Sequence, residues 1–573
     1  MRVSRLFVTF AALLLSFVAT AAADAPAGAP LLPRFVEPGP EESGLTAVTV
    51  AAKTPWIYVI DNIGTGVAML DYDLDGDLDI FQVQASSLEG FPDPKPTDHL
   101  YRNDGGGHFT DVTKEAGLGD SKWGQGVSVA DYDNDGDPDL FVSSIGPDRL
   151  YQNQGDGTFR EVGVEAGIAN NGWSTGSAFF DANGDGLLDL YVALYIDFDA
   201  AKIPPRGDPN HPCTFRGVPV VCGPMGLPQA LDVFYLNNGD GTFTNVNDTS
   251  GMKVDRPSFG LGVVTADVDD DGDPDIFVGN DSEPNFLYIN DGTGHFSEEG
   301  LLRGVAYSGD GRGQASMGCA FGDPDGDGDL DLFVTHFSHD YPTLYINDGT
   351  GFFEDETLKA GLVESMIPML SWGTTFTDFD NDGDEDIFIT NSHVYPEADD
   401  AHIGSSFLQR CQLFLNDGHA KFTELKGDAA GPALEHVAAH RGAAFGDLDE
   451  DGDVDVVVTR MFDRLGFYRN DLPPGNHWIN FRFYGTVSNR DAVGTRIVVH
   501  SGDRKWLKEL QGGGSFESAS DPRLHIGLGS LTRVDKVDIR WPSGQKQSLG
   551  PFEVDRTISL IEPEASQKPL PGR

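Results

Sequence analysis

A nine-residue acidic pattern, D-x-[DN]-x-D-G-x-x-D, occurs seven times between residues 71 and 455 of this 573-residue chain. We number the copies loops 1 to 7; they span 71–79, 131–139, 181–189, 267–275, 323–331, 378–386 and 447–455. Each copy precedes a short run of β-prone residues, such as Ile80-Phe81 after loop 1. One unit repeated over several hundred residues is typical of propellers and solenoids, and it argues against seven unrelated acidic turns.

The spacing of the acidic residues predicts calcium binding. Carboxylates at positions 1, 3 and 5 converge on one ion as the chain curls, position 7 offers its backbone carbonyl, and position 9 closes the shell. Glycine at position 6 permits the positive φ of the sharp turn. Hard oxygen ligands favour Ca²⁺, whereas Mg²⁺ needs tighter octahedral geometry and Zn²⁺ needs His or Cys. We therefore expect up to seven bound Ca²⁺ ions.

The predicted ligands are the residues at positions 1, 3, 5, 7 and 9 of each loop. They are Asp71, Asp73, Asp75, Asp77 and Asp79; Asp131, Asp133, Asp135, Asp137 and Asp139; Asp181, Asn183, Asp185, Leu187 and Asp189; Asp267, Asp269, Asp271, Asp273 and Asp275; Asp323, Asp325, Asp327, Asp329 and Asp331; Asp378, Asp380, Asp382, Asp384 and Asp386; and Asp447, Asp449, Asp451, Asp453 and Asp455. Loop 3 has Asn at position 3 and Leu at position 7. Because Asn still supplies an oxygen and position 7 needs only its carbonyl, we expect weaker binding there.

An aromatic hairpin follows each loop. In loop 1 it reads Leu100-Tyr101, then a Gly-containing turn, then Phe109, and the first six copies share this order. Hydrophobic runs bounded by Asn/Asp-Gly predict tight β-hairpins. The repeat is therefore strand, calcium loop, strand, longer connection, strand, tight turn, strand. Seven such units predict an all-β fold in which residues 24–471 form a seven-bladed β-propeller with calcium-binding loops.

The seventh unit lacks its last strand, because Phe467-Tyr468 runs into Pro473-Pro474 without a returning segment. Residues 34–37, Arg-Phe-Val-Glu, resemble the missing strand of the other units. We predict that this N-terminal segment completes the last blade and removes an exposed sheet edge.

The calcium loops and the tight turns fall at one end of the strands, so the longer connections collect on the opposite face. These include an insertion at residues 197–230. Since recognition is normally placed on loops of a rigid scaffold, we predict a ligand-binding face there. Its candidate residues are Trp123, Trp173, His336, Trp372, His393, His440 and Arg441. The alternative for each tryptophan is packing between blades.

The chain contains no H-E-x-x-H motif, no P-loop and no dinucleotide fingerprint. Histidines 336, 339, 393, 436 and 440, with Arg441 and Arg460, fall on the predicted ligand face. They allow an alternative function, a calcium-dependent polysaccharide lyase or hydrolase with its site on that face. Histidines that fill polar gaps in the fold explain them as well, so we favour a binding or assembly module for a protein or glycan ligand.

The N-terminus predicts export. Residues 1–23 combine Arg2 and Arg5, an apolar stretch and three alanines at 21–23, as in a cleaved signal peptide. No later segment has the ~20 apolar residues of a membrane-spanning helix, so we expect no membrane insertion after cleavage and a secreted or periplasmic location. The net charge of −52 argues against nucleic-acid and anionic-membrane partners.

Four cysteines permit three full pairings. Cys213 and Cys222 lie in a Pro- and Gly-rich stretch of the insertion, where an exported loop gains from a covalent link. We favour a disulfide there over a metal site, since His211 is the one soft ligand nearby. Cys319 and Cys411 lie in strand-like runs, and either buried thiols or a second disulfide fits them.

The acidic repeat stops at Pro473-Pro474, and residues 476–563 are predicted to form a small C-terminal β domain, either a β-sandwich or a partial barrel. Alternating apolar residues at 478–483 and 495–499 indicate its strands. We expect this domain to dock on the propeller. Residues 564–573 are predicted to be a disordered tail.

The loops and hairpins resemble FG-GAP/VCBS repeats, and the C-terminal domain resembles the ASPIC/UnbV domain of cartilage acidic protein-like secreted proteins. The matching C-terminal segments are Asn489–Gly494, His525–Gly529 and Trp541–Gly544. The segment from Cys213 to Pro224 resembles an insertion of bacterial members. The resemblance implies calcium binding, export and an integrin-like repeat architecture, and it implies no catalytic residues. The EGF-like module of animal members is absent from this sequence, so a matrix role does not transfer.

Overall fold

The computed structural model describes residues 31–52, 57–88, 90–91, 93–252 and 256–564. The predicted signal peptide lies outside these residues, as does the predicted tail except for Glu564. The described chain is mostly β-strand, and its helical segments are about one turn long. They are Pro40–Ser43, Val59–Asn62, Thr113–Ala116, Gly163–Ala166, Gly300–Arg303, Thr357–Ala360, Val363–Met366, Pro396–Asp399 and Gly427–Ala429.

Seven four-stranded antiparallel arrangements, numbered here sheets 1 to 7, correspond to the seven repeats. The first four consist of Val67–Leu70, Asp79–Gln82, His99–Asn103 and Phe109–Asp111; Gly124–Ala130, Asp139–Ser144, Arg149–Asn153 and Phe159–Glu161; Ser174–Phe180, Asp189–Leu194, Val233–Asn237 and Phe243–Asn245; and Gly260–Ala266, Asp275–Asn280, Phe286–Asn290 and Phe296–Glu298. The strand order within each sheet follows the chain, as predicted.

Sheets 5 to 7 repeat this arrangement. They consist of Cys319–Gly322, Asp331–Val334, Thr343–Asn347 and Phe353–Asp355; Ser371–Thr377, Asp386–Asn391, Gln412–Asn416 and Phe422–Leu425; and His440–Gly446, Asp455–Arg460, Gly466–Asn470 and Phe35–Val36. First strands of consecutive sheets contact each other, and the first strand of sheet 7 contacts that of sheet 1. Together these sheets form the all-β propeller that the repeats predict.

Each predicted calcium loop joins the first and second strands of its sheet. In sheet 1, Leu70 pairs directly with Asp79, so the nine-residue loop is the turn of a hairpin. Apolar side chains from neighbouring sheets fill the space between them; Phe81 and Leu100 pack with Leu140 and Tyr151, for example. Both surfaces of a sheet are therefore buried, which explains the nearly continuous apolar character of the second strands.

The N-terminal segment completes sheet 7, which confirms that prediction. Phe35 pairs with Asn470 and Val36 pairs with Arg469, in antiparallel register. The Phe35 side chain is fully buried, with ring centroids 5.7 Å from Phe379 and 6.0 Å from Phe388. The first described strand thus packs against the end of the repeat region.

The C-terminal domain contains three small sheets around its own apolar core. These consist of Leu524–Gly529, His477–Tyr484 and Thr557–Ile561; Arg504–Glu509, Arg496–Ser501, Lys536–Arg540 and Lys546–Leu549; and Arg533–Val534 with Phe552–Glu553. Trp541 is buried in this core, 5.8 Å from the ring of Phe483. The domain lies against the face of the propeller that carries loops 1 to 7, as the contact of Arg482 with Asp71 shows.

A segment of the C-terminal domain, residues 511–521, enters the centre of the propeller; we call it the strap. Gly512–Gly513 pairs with the first strand of sheet 4 and forms its fifth strand. Ser515 exchanges backbone hydrogen bonds with Cys319 of sheet 5, and Ala519 accepts one from Met69 of sheet 1. The Glu517 carbonyl accepts the amide of Val127 in sheet 2 at 3.0 Å. The centre of the propeller is therefore occupied by the chain itself.

The insertion at 197–230 covers the opposite end of the centre. Its strands Thr214–Phe215 and Val218–Pro219 form a two-stranded sheet, and a disulfide joins Cys213 to Cys222 as predicted. The Phe215 ring packs 5.4 Å from Phe337 and 5.8 Å from Tyr395. Cys319 and Cys411 are buried free thiols, which resolves the alternatives for that pair.

Candidate calcium centres

The aspartate at position 9 of each loop is buried at the start of the second strand. All seven of these residues are at most 2% exposed. In loop 1, one oxygen of Asp79 accepts the amide of Asn103 at 2.8 Å and the other accepts the amide of Tyr72 at 3.0 Å. Burial raises the pKa of Asp79 to about 8 and that of Asp139 to about 9. A positive ion nearby would offset this desolvation cost.

Position 1 is fixed by the loop backbone. In loop 2, Asp131 accepts the amides of Asp135 at 3.0 Å and Gly136 at 2.8 Å. Gly136 has a φ of 107°, so the position 6 glycine adopts the conformation that the pattern predicts. The chain therefore curls around its own carboxylates, which brings alternate side chains to one centre.

Carboxylate oxygens converge inside the loops. In loops 1, 2, 4, 5 and 6, three aspartates each have an oxygen within 4.8 Å of the other two. These groups are Asp71, Asp73 and Asp79; Asp131, Asp133 and Asp139; Asp267, Asp269 and Asp271; Asp323, Asp325 and Asp327; and Asp378, Asp380 and Asp386. Three of the five predicted ligands thus lie together in each of these loops: those at positions 1, 3 and 9 in loops 1, 2 and 6, and those at positions 1, 3 and 5 in loops 4 and 5.

Five loops contain a buried carboxylate oxygen that has no hydrogen-bond partner among the described residues. They belong to Asp71, Asp133, Asp269, Asp331 and Asp449. A buried polar atom without a partner is costly, and a bound cation or water in the loop would offset that cost. The converging donors are carboxylate oxygens, which fit Ca²⁺.

Loop 5 differs from the other six at position 2. In those six loops the position 2 amide donates to one oxygen of the position 9 aspartate. Loop 5 has Pro324 at position 2, which carries no N–H. One oxygen of Asp331 is therefore left without a partner in the described chain, and burial raises the pKa of this group to about 9.

A set of asparagines supports the loops, and the ligand pattern alone does not reveal it. Each third strand ends in a buried asparagine, two residues after an aromatic residue: Asn103, Asn153, Asn237, Asn290, Asn347, Asn416 and Asn470. The side-chain oxygen of Asn153 accepts the amide of Gly155 and so caps the tight turn. The regular recurrence of Asn after the aromatic pair is the sequence signal that could have revealed them.

The C-terminal domain contacts several of the seven loops with charged side chains. Arg482 donates to Asp71 at 3.1 Å in loop 1, and Arg540 forms an ion pair with Asp267 in loop 4. In loop 2 the contact has the opposite sign, because the Asp491 carboxylate accepts the amide of Asp131 at 2.7 Å. The domain therefore places positive charge beside loops 1 and 4 and negative charge beside loop 2.

The seven residues predicted to form an exposed ligand face are all buried. Their exposures are 9% for Trp123, 0% for Trp173, 0% for His336, 1% for Trp372, 0% for His393, 0% for His440 and 0% for Arg441. The prediction that these side chains contact a ligand at the surface is therefore wrong for this structure. Segments from elsewhere in the chain cover some of them: Phe198 of the insertion packs against Trp173, and Phe516 of the strap packs against Trp372.

These side chains have partners inside the protein. Arg441 donates to the Asn62 carbonyl at 2.7 Å and lies 4.2 Å from the Trp372 ring. His393 contacts Ser338 at 2.9 Å, and His440 contacts Tyr468 at 2.9 Å.

Burial lowers the pKa of His336, His393 and His440 to about 3. They are neutral at physiological pH and lie in the interior. The geometry therefore gives no support to their predicted alternative role as bases acting on a polysaccharide.

Comparison with family models defines the repeat. The model described as "FG-GAP-like repeat" matches residues 71–142, 131–192, 221–278, 267–334 and 323–389, which is more than half of the chain. The chain belongs to the FG-GAP-like repeat family. A second model, "ASPIC and UnbV", matches residues 485–567. This member of the family therefore combines both units, as the sequence resemblance implied.

Its relatives include "Cartilage acidic protein 1" of Mus musculus, 24% identical over 348 residues, and that of Homo sapiens, 25% identical over 355. Each match covers 60% of this chain and 50% of the relative. The chain thus spans about half the length of these relatives. Within the described residues, no helix is long and apolar enough to cross a membrane.

The solved structures that match this fold have low TM-scores. A structure of an Agrocybe aegerita lectin that recognises non-reducing terminal N-acetylglucosamine is 18% identical, with a TM-score of 0.37, and covers 67% of this chain and 87% of that one. BBS1N in complex with ARL6DN is 9% identical, with a TM-score of 0.39, and covers 78% and 98%. Similarity at this level carries no functional argument.

Proposed function

We propose that this protein is an exported, calcium-binding β-propeller that acts as a protein- or glycan-binding or assembly module. The calcium is structural in this proposal, with up to seven ions held by the loops. The observation that carries it is twofold: five loops of one spacing each bring three aspartates together, and five loops each hold a buried carboxylate oxygen without a hydrogen-bond partner in the described chain. When bound, calcium would supply the positive charge and coordination that these oxygens lack.

The ligand surface in this proposal lies on the exterior of the molecule. The strap occupies the centre of the propeller. The C-terminal domain covers the face that carries loops 1 to 7, and the insertion covers the opposite end. Buried residues such as Trp173 and Trp372 are therefore not ligand contacts in this arrangement. The outward surfaces of the insertion and of the C-terminal domain are the regions to map first.

Export is supported by two independent features. The first 23 residues have the composition of a signal peptide, and a disulfide links Cys213 and Cys222. Disulfides persist mainly in oxidising compartments. Cell fractionation with N-terminal sequencing of the mature protein tests this part, since a retained residue 1 in the cytosolic fraction would contradict it.

Calcium binding is tested on the full-length mature protein by thermal melting and by direct measurement of bound ion. A ligand that binds the folded state alone stabilises it by about 2.7 kcal/mol at a hundredfold excess over its Kd. We expect EGTA to lower the Tm and calcium, but not an equal concentration of magnesium, to restore it. An unchanged melt together with no bound ion would disprove the calcium proposal.

Ligand binding is tested separately with glycan and protein arrays in calcium and in EGTA. Capture that requires calcium and leaves the ligand intact supports a binding module. New unsaturated or reducing ends on an acidic polysaccharide would instead establish a lyase or hydrolase and overturn the proposal.

A further inference from the structure

Each buried asparagine at the end of a third strand holds the calcium loop of its own sheet. Its backbone amide donates to the position 9 aspartate at 2.7 to 2.9 Å in all seven sheets. In sheet 3, for example, Asn237 donates to Asp189 at 2.8 Å, and its side-chain amide also donates to the Leu188 carbonyl at 3.0 Å. The asparagine is thus tied to the residue that closes the predicted ligand shell.

The same side chain also reaches the preceding loop in the ring. The Asn237 amide donates to the carbonyl of Tyr132, at position 2 of loop 2, at 2.8 Å. Position 2 lies between the first two predicted ligands of that loop, Asp131 and Asp133. One residue therefore holds both loops: its backbone amide binds the closing ligand of loop 3, and its side chain binds the backbone between the opening ligands of loop 2.

This arrangement occurs in all seven sheets, and the last loop is connected back to the first sheet. The side-chain amides donate to position 2 carbonyls at 2.7 to 2.9 Å, as follows: Asn103 to Leu448, Asn153 to Tyr72, Asn237 to Tyr132, Asn290 to Ala182, Asn347 to Val268, Asn416 to Pro324 and Asn470 to Phe379. Sheet 1 bonds to loop 7, and each later sheet bonds to the loop before it. The seven loops form one closed ring of hydrogen bonds.

We propose that the loops bind calcium cooperatively and that these asparagines carry the coupling. The proposal rests on the calcium function proposed above. An ion that orders position 9 of one loop fixes the asparagine, and the asparagine then orders positions 1 to 3 of the neighbouring loop. That neighbour loses less conformational entropy when its own ion binds. Because coupling between sites is reciprocal, the effect passes in both directions around the ring.

The first experiment is a calcium titration of the stripped full-length protein, read by directly counting bound ions. Coupled sites typically change each other's affinity by about fivefold or more, so we expect a Hill coefficient clearly above 1. Asp135→Asn removes the charge of an exposed ligand of loop 2 and so weakens the ion at that loop. We expect it to weaken the binding of the remaining ions, beginning with loops 1 and 3. Loss of one ion with unchanged affinity for the others would overturn the proposal.

The second experiment compares two neighbouring asparagines. Asn237→Ala removes the connection between loops 2 and 3, whereas Asn238→Ala alters an exposed turn residue that bonds to Thr242 and Thr244. We expect Asn237→Ala to lower the Hill coefficient and Asn238→Ala to leave it unchanged. Equal Hill coefficients in the two variants would overturn the role of the asparagine.

Circular dichroism in saturating calcium checks that both variants fold. If Asn237→Ala fails to fold, the Asp135→Asn titration decides the question, because it leaves every asparagine in place. Wild-type binding with a Hill coefficient of 1 overturns the coupling alone. A wild-type protein that binds no calcium overturns the calcium function, and the coupling with it.

Discussion

Both ends of the propeller are covered, one by charged and hydrogen-bonded contacts and the other by aromatic packing. At the loop face, the C-terminal domain meets the acidic loops through ion pairs and hydrogen bonds, such as Arg482 with Asp71. At the other end, the insertion covers the centre with aromatic packing, such as Phe215 against Phe337, and a disulfide. The difference indicates that calcium, salt and pH should act on the loop face, whereas reduction should act on the insertion.

The largest expected difference between the two ends follows calcium removal. EGTA should raise amide hydrogen exchange in loops 1 to 7 by roughly a hundredfold, the factor that corresponds to about 2.7 kcal/mol per ion. Exchange in residues 197–230 should change far less, because no predicted ligand lies there. Hydrogen exchange with mass spectrometry measures both regions in one sample. Equal increases in both regions would contradict the separation.

Phe35→Ala tests the N-terminal strand that completes sheet 7. Removing this fully buried ring should cost about 3–5 kcal/mol, because it leaves a cavity beside Phe379 and Phe388. Thermal melting should show the loss both in calcium and in EGTA. Phe352→Ala, at a 42% exposed position, is the matched control and should change the Tm little.

Removing the disulfide should weaken the insertion alone. Replacing Cys213 and Cys222 by serine should lower the stability of the insertion by no more than about 4 kcal/mol, because the disulfide closes a short loop. Protease cleavage within 197–230 should rise, while calcium binding stays the same. A changed calcium affinity in this variant would show that the two ends are coupled.

Glu517→Gln tests the strap between the two ends. Neither carboxylate oxygen of Glu517 has a hydrogen-bond partner in the described chain, and burial raises its pKa well above the ordinary value of 4.5. Because the unfolded state loses this proton first as pH rises, the wild type loses stability above about pH 4.5 until the folded group also ionises. The variant has no titratable group at this position, so its stability relative to the wild type should rise between pH 5 and pH 8, by at most about 1.4 kcal/mol per pH unit. A gain independent of pH would contradict this assignment.

Arg540→Gln gives the smallest expected effect and tests the charge placed beside loop 4. The guanidinium is paired with Asp267, a predicted calcium ligand, so it repels an incoming ion. The variant should bind calcium at loop 4 a fewfold more tightly, since ligand charge tunes affinity in such loops. Arg533→Gln removes an exposed arginine that pairs with Asp535 and should leave binding unchanged. Calcium titration of the two variants measures the difference.

Much of the repeat region could be predicted because its signals are local. The alternating aspartates, the position 6 glycine and the Asn/Asp-Gly turns act within a few residues, and they recur seven times. The completion of sheet 7 by Phe35–Val36 followed from comparing one segment with its equivalents. The same comparison could have identified the asparagines, whose position relative to the aromatic pair is constant.

The predicted ligand face was wrong because composition does not report burial. Tryptophan, histidine and arginine on long connections suit a binding surface, yet His440 and Arg441 are fully covered and have internal partners. Their covering segments come from distant parts of the chain. The strap contact between Met69 and Ala519 joins residues about 450 positions apart, and no local pattern encodes it.

The sequence by itself determined the repeat number, the strand order and the predicted ligand positions, because ligand spacing and turn chemistry are properties of adjacent residues. The tertiary structure alone decided what fills the centre, what covers each face and which loops share hydrogen bonds. Those outcomes depend on which distant surfaces bury polar groups with partners. Asn237 illustrates both levels: its place at a strand end is written in the sequence, while its bond to Tyr132 exists only because sheets 2 and 3 pack side by side.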